Sequence, residues 1–166
     1  MTLTLFTIGV YGWEPERFFA ALQAAGIDTF CDIRARRGVR GSEYAFANSQ
    51  RLQARLAELG IRYLHRPDLA PSEATRAAQH DADEASHTAR RLRAELSPAF
   101  IESYERERLT GFDSTAFVTD LGPDARRVVL MCVKREPSAC HRGLLSARLA
   151  ADLDLHVTHL TPEQAS

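Results

Sequence analysis

Lysine is almost missing from this chain: of its 21 basic residues only Lys134 is a lysine. With so much alanine alongside, arginine is simply the chain's ordinary cation, and its abundance alone is no phosphate signal. The formal charge is −1. That excludes the overall basic excess typical of nucleic-acid binders and leaves only local patches. Cysteine is scarce and odd in number, at three, so a disulfide framework is not the expectation; 166 residues can bury a core without one. No apolar leader opens the chain, and no run nears the ~18 apolar residues of a membrane span. A reducing cytoplasm, with no membrane partner, is the expected setting. Neither GxGxxG nor a P-loop occurs, so no nucleotide cofactor is expected. Paired CxxC turns are absent, and the seven residues between Cys132 and Cys140 are unlike a zinc knuckle, so no metal is expected either. The phosphatase spacing of a cysteine and an arginine six positions later also fails, because Ser138 stands six after Cys132.

What is present is organised around Arg127 to Leu153. An apolar, β-branched run from Val128 to Val133 reads as a buried strand. Lys134 to Ser138 form a turn in which Pro137 forbids a continuous helix. Cys140, His141 and Arg142 follow where Leu144, Leu145, Leu149 and Leu153 begin a helical stripe. They therefore sit at a helix start, where free amides and the positive dipole end favour an anion or a thiolate.

The rest of the chain alternates. Strands are expected at Leu3 to Ile8, Thr29 to Ile33, Ile61 to Leu64 and His156 to Leu160. Helices start near Pro15, at Ser49 with Ser49 as cap, and at Ser97 with Pro98 in the first helical position. Between Pro71 and Leu109 the pattern turns helical, first in a highly charged, weakly amphipathic stretch from Ser72 to Leu96, and a short helix covers Ser114 to Leu121. Alternation with short loops predicts a single domain over residues 1–166, an α/β fold with a mainly parallel sheet of about five strands. Helices on both faces make it a Rossmann-like three-layer sandwich. Sites in such sheets lie at the carboxyl ends of strands. Here those ends offer Gly9, Asp32 with Arg34, His65, and Cys132 to Arg142. The loop after the second strand adds Arg36, Arg37 and Arg40 around Gly38 and Gly41, and reads as a mobile basic loop.

Asp32 and His65 are candidates for acid and base, and Cys140 and His141 for thiolate and base. Arg34, Arg40 and Arg142 are candidate anion ligands, and Gly9 offers a close backbone approach. Each also has a structural reading, since a strand-end histidine is often a satisfied one and a buried cysteine often only packs.

The segments TIG at Thr7 to Gly9, GIDTFCDIR at Gly26 to Arg34, GIRYLH at Gly60 to His65 and MCVKREPSACHR at Met131 to Arg142 resemble the uncharacterised bacterial and archaeal family called domain of unknown function 488. VTHL near the C-terminus resembles it too. The resemblance implies an α/β fold with these motifs gathered around one pocket and carries over no reaction. Departures from its pattern include Val10 and Tyr11 after the first motif, the longer GVRGSEYAF in the second loop, and Lys134 where relatives often carry glutamate.

Three functional classes follow. The first is an enzyme acting on a phosphorylated or nucleic-acid-derived substrate at the C-terminal edge of the sheet. The second is a non-catalytic nucleotide or nucleic-acid binding module using the Arg34 to Arg40 loop, and the third is a protein-interaction domain using the charged helical stretch.

Overall fold

A computed structural model describes residues 3–86 and 95–163. Five strands form one sheet: β1 (Thr4–Ile8), β2 (Thr29–Asp32), β3 (Arg62–His65), β4 (Arg127–Met131) and β5 (Val157–Leu160). Their order is β3-β2-β4-β1-β5 and every pairing is parallel. The Rossmann-like α/β architecture read from the alternation is the observed one. β4 is buried from Val128 to Met131, which is why its sequence is a continuous apolar run rather than an alternating one.

Helices cover both faces. On one, α1 (Pro15–Ala24) and α2 (Ser49–Glu58) bury Phe18, Leu22, Leu52 and Leu56 against Phe6, Phe30 and Val129. The opposite face carries α4 (Pro98–Tyr104), α5 (Ser114–Leu121) and α6 (His141–Leu153), with Phe100, Tyr104, Phe117, Leu145 and Leu149 against Leu5, Cys31, Val128 and Leu130. Ser97 caps α4 as its sequence predicts, its hydroxyl accepting from the Phe100 amide at 3.1 Å. For α2 the N-cap is Asn48 and Ser49 is the first helical residue, one position from the expected cap.

Within the charged stretch, α3 (Glu73–Ser86) is helical, and the expected continuation over 87–94 lies outside the described residues. Its weak apolar signal has a physical reason: α3 meets α4 through polar contacts. Thr75 and Ser103 share a 2.5 Å hydroxyl bond, and the buried Gln79 accepts from the Ser97 amide at 2.8 Å. The arginine loop also has more structure than its glycines suggest, since Ser42–Ala47 form a 3-10 helix that buries Phe46 and Ala47. Among the described residues no helix is long and apolar enough to cross a membrane.

The topology marks one place for a site. β4 lies between β2 and β1, and the helices that follow those two strands cover one face while α6, following β4, covers the other. Chain exits therefore diverge on both sides of β4, opening the sheet edge where ligands bind in such folds.

Candidate functional site

Backbone pairing continues beyond the strands and holds their exits together. Val10 and Tyr11 both donate to the Val133 carbonyl at 2.9 and 3.0 Å, Ile33 donates to Met131 at 3.1 Å, and Arg66 to Asp32 at 2.8 Å. Two side-chain clusters and one arginine staple are mounted on this frame.

The first cluster lies at the exits of β2 and β3. Asp32 and His65 are register partners on adjacent strands. Asp32 is fully buried and forks onto Arg34, Oδ1 accepting from Nε at 2.9 Å and Oδ2 from Nη2 at 2.8 Å. Tyr63 adds a third donor, its hydroxyl bonding Oδ2 at 2.6 Å. Burial, and then this bond to Asp32, push the Tyr63 phenol up to about 12, although Arg37 hydrogen-bonds the same phenol and pulls the other way. Asp32 thus accepts from every side and acts as a positioning residue for Arg34. Arg34 is itself 3% exposed, and its Nη1 is buried without a hydrogen-bond partner. That is a charged donor held in place and left unused, an arrangement that costs free energy unless something accepts from it. His65 bonds the Arg34 carbonyl through Nε2 at 2.7 Å. A carbonyl only accepts, so Nε2 carries the proton and Nδ1 keeps the lone pair of a general base.

The second cluster forms on the opposite face of the sheet, around the start of α6. Cys132 follows β4, Pro137–Ala139 turn back as a 3-10 helix, and Cys140 is the N-cap of α6 with His141 as its first residue. His141 Nδ1 lies 3.6 Å from Cys132 Sγ and 3.7 Å from Cys140 Sγ. Its Nε2 donates to the Ile33 carbonyl at 3.0 Å, and the Tyr104 ring lies 5.6 Å from the imidazole. The two thiols divide in their ionisation. The bond to Cys140 and then burial hold Cys132 well above the ordinary thiol value. Burial opposes ionisation at Cys140, but the hydrogen bond from Cys132, the neighbouring His141 and the charge of Arg142 outweigh it and hold that thiol well below.

Arg142 stands apart from both. The sequence places it on an anion, but the structure has it fully buried, with Nη1 donating to the Lys134 carbonyl at 2.6 Å, Nη2 to Arg135 at 3.0 Å and Nε to the Thr7 hydroxyl at 3.3 Å. It staples the β4–α6 loop to β1. Gly9 serves the same junction, since a Cβ there would run into the Lys134 carbonyl. Thr7 passes the contact on to His159 Nδ1 at 2.6 Å.

Asp32, Arg34 and His65 are therefore brought together, as are Cys140 and His141, but the two sets occupy opposite faces of the sheet rather than one pocket. Arg40 is exposed and Arg37 reaches Tyr63. Lys134 is nearly buried, its ammonium 5.5 Å from the centre of the Tyr11 ring. Sequence reasoning missed Tyr63, Thr7 and the convergence of Cys132 with Cys140 and His141. The two-residue strand period that puts Tyr63 on the same side as His65 was a usable signal for the first.

No curated protein and no solved structure matches the chain. The model of one family, Domain of unknown function DUF488, matches residues 14–149, so that the matched span takes in both clusters and leaves β1 with the Gly9 junction, the end of α6 and the last strand outside. On that match the chain belongs to the uncharacterised DUF488 family.

Proposed function

We propose that the C-terminal edge of the sheet holds the anionic part of a phosphorylated or nucleic-acid-derived substrate, and that the chain is an enzyme acting on it with Arg34 as anchor and His65 as the acid–base group. The observation that carries this reading is the buried, unpartnered Nη1 of Arg34. A guanidinium already forked onto a carboxylate cannot rotate away, so its remaining N–H groups are pre-organised for an incoming oxyanion. Exposed Arg36 and Arg40 and the neighbouring Arg37 supply positive charge at the same strand exit. His65, with its proton held on the Arg34 carbonyl, offers Nδ1 beside the anchored group.

The second reading, a binding module without chemistry, is favoured by the exposure of Arg36 and Arg40. The test compares melting temperatures with and without inorganic phosphate at fixed ionic strength, because general salt effects also stabilise. For a millimolar site at tenfold excess, binding stabilises the wild type by about 1.4 kcal/mol. Arg34→Lys, which keeps the charge and loses the fork, abolishes that shift. His65→Ala keeps it and loses turnover on a panel of nucleotides and oligonucleotides. Loss of oligonucleotide binding only on replacing Arg36, Arg37 and Arg40 together, with no turnover by the wild type, would support the binding module instead.

A further inference from the structure

We propose that Cys132, Cys140 and His141 form a binding site for a thiophilic divalent cation of the Zn2+ class. Their three donor atoms all lie within 4.8 Å of one another. Geometry makes the case first. A tetrahedral zinc with its usual bonds to sulfur and nitrogen sets those two atoms about 3.6 Å apart. The two observed Nδ1–Sγ separations, 3.6 and 3.7 Å, already have that value. Between the imidazole and either sulfur no closing movement is needed.

The tautomer is set as well. Because the Ile33 carbonyl can only accept, His141 carries its proton on Nε2 and turns the Nδ1 lone pair toward the two sulfurs. Metal-bound histidines are oriented by this kind of outer bond. Charge balance then suits the surroundings. Both sulfurs bind as thiolates, and two thiolates with a dication and a neutral imidazole sum to zero. A neutral complex belongs in a site where Cys132, Cys140 and His141 are 8%, 2% and 5% exposed and Tyr104 closes one side. The loop is built for the approach: Gly143 has no Cβ to strike the Pro137 carbonyl, which lets the 3-10 turn sit directly on α6. Three protein ligands leave the fourth position to a water or a substrate atom, the pattern of a catalytic rather than a closed structural site.

The experiment uses the full chain, reduced, stripped with a chelator and titrated with Co2+ and then Zn2+. The expected result is one Co2+ per chain, with thiolate-to-cobalt charge transfer in the near ultraviolet and tetrahedral bands in the visible, both erased by Zn2+. Cys132→Ser and Cys140→Ser each weaken the charge-transfer band and reduce uptake, whereas Cys31→Ser, on the same face of the sheet but outside the cluster, keeps the wild-type stoichiometry. In case either variant fails to fold, X-ray absorption of the zinc-loaded wild type reads the same question without substitution, and two sulfurs in the first shell are expected. Failure of the wild type to take up stoichiometric metal, or a first shell without sulfur, would overturn the site.

Discussion

Two arginines are buried at the exits of adjacent strands, and their surroundings differ in one respect that separates scaffold from site. Arg142 meets two backbone carbonyls and a threonine hydroxyl, each of its three nitrogens donating. Arg34 meets a single carboxylate, and one nitrogen is left with no acceptor. A guanidinium that satisfies backbone carbonyls replaces hydrogen bonds the loop cannot make for itself, so it is part of the fold. A guanidinium held rigid by a carboxylate with a donor to spare is a prepared half of an ion pair. Burial and charge alone do not distinguish the two.

The largest expected effect falls on the scaffold. Arg142→Ala strands the Lys134 and Arg135 carbonyls, leaves a void under Gly9, and is expected to destabilise the fold by on the order of 4 kcal/mol in urea unfolding. No second substitution recovers the loss, because two of its three partners are backbone carbonyls. Arg34→Ala is expected to cost about 3 kcal/mol by leaving Asp32 buried with Tyr63 as its remaining side-chain partner. Here a second substitution does recover stability: Asp32→Asn with Arg34→Gln should cost clearly less than the two single changes summed. Additivity at Asp32 and Arg34 would contradict the rigid fork.

Smaller effects sharpen the contrast. Tyr63→Phe removes one donor from Asp32 and is expected to cost about 1 kcal/mol. The pH dependence should differ in sign between the regions. Tyr63 titrates higher in the folded chain, at about 12, than its ordinary 10.0, so the folded state holds that proton more tightly. Its contribution is complete below about pH 10 and is lost as pH rises toward 12. Next to Arg142, burial and then the arginine's charge lower His159 from 6.5, so the unfolded chain binds that proton more tightly. Stability there is complete above about pH 6.5 and is lost as pH falls through the lowered value. Equilibrium unfolding across pH should show His159→Gln flattening the acid limb and Tyr63→Phe the alkaline one.

Much of the fold is visible in the chain because its signals are local. Val128 to Val133 reads as a buried strand without reference to anything else, and Ser97-Pro98 announces a helix start. The parallel sheet follows from alternation, and the strand-end rule then selects Asp32, Arg34, His65, Cys140 and His141. Their partners are another matter. Whether Arg142 faces solvent or two carbonyls depends on how the β4–α6 loop folds back, which no spacing reveals. The same turn brings Cys132 to Cys140 and His141, where a spacing rule drawn from zinc knuckles finds nothing, because these ligands are gathered by a strand end and a helix cap. Polar packing hid the face by which α3 docks, because its buried Thr75 and Gln79 look like surface residues.

The central claim is that Arg34 carries the donor reserved for an anion, and guanidinium nitrogen resonances of the labelled chain test it most directly. On titration with inorganic phosphate at fixed ionic strength, the Arg34 signals should shift and saturate while those of Arg142 stay fixed. A saturable shift at Arg142, or none at Arg34, would contradict the account.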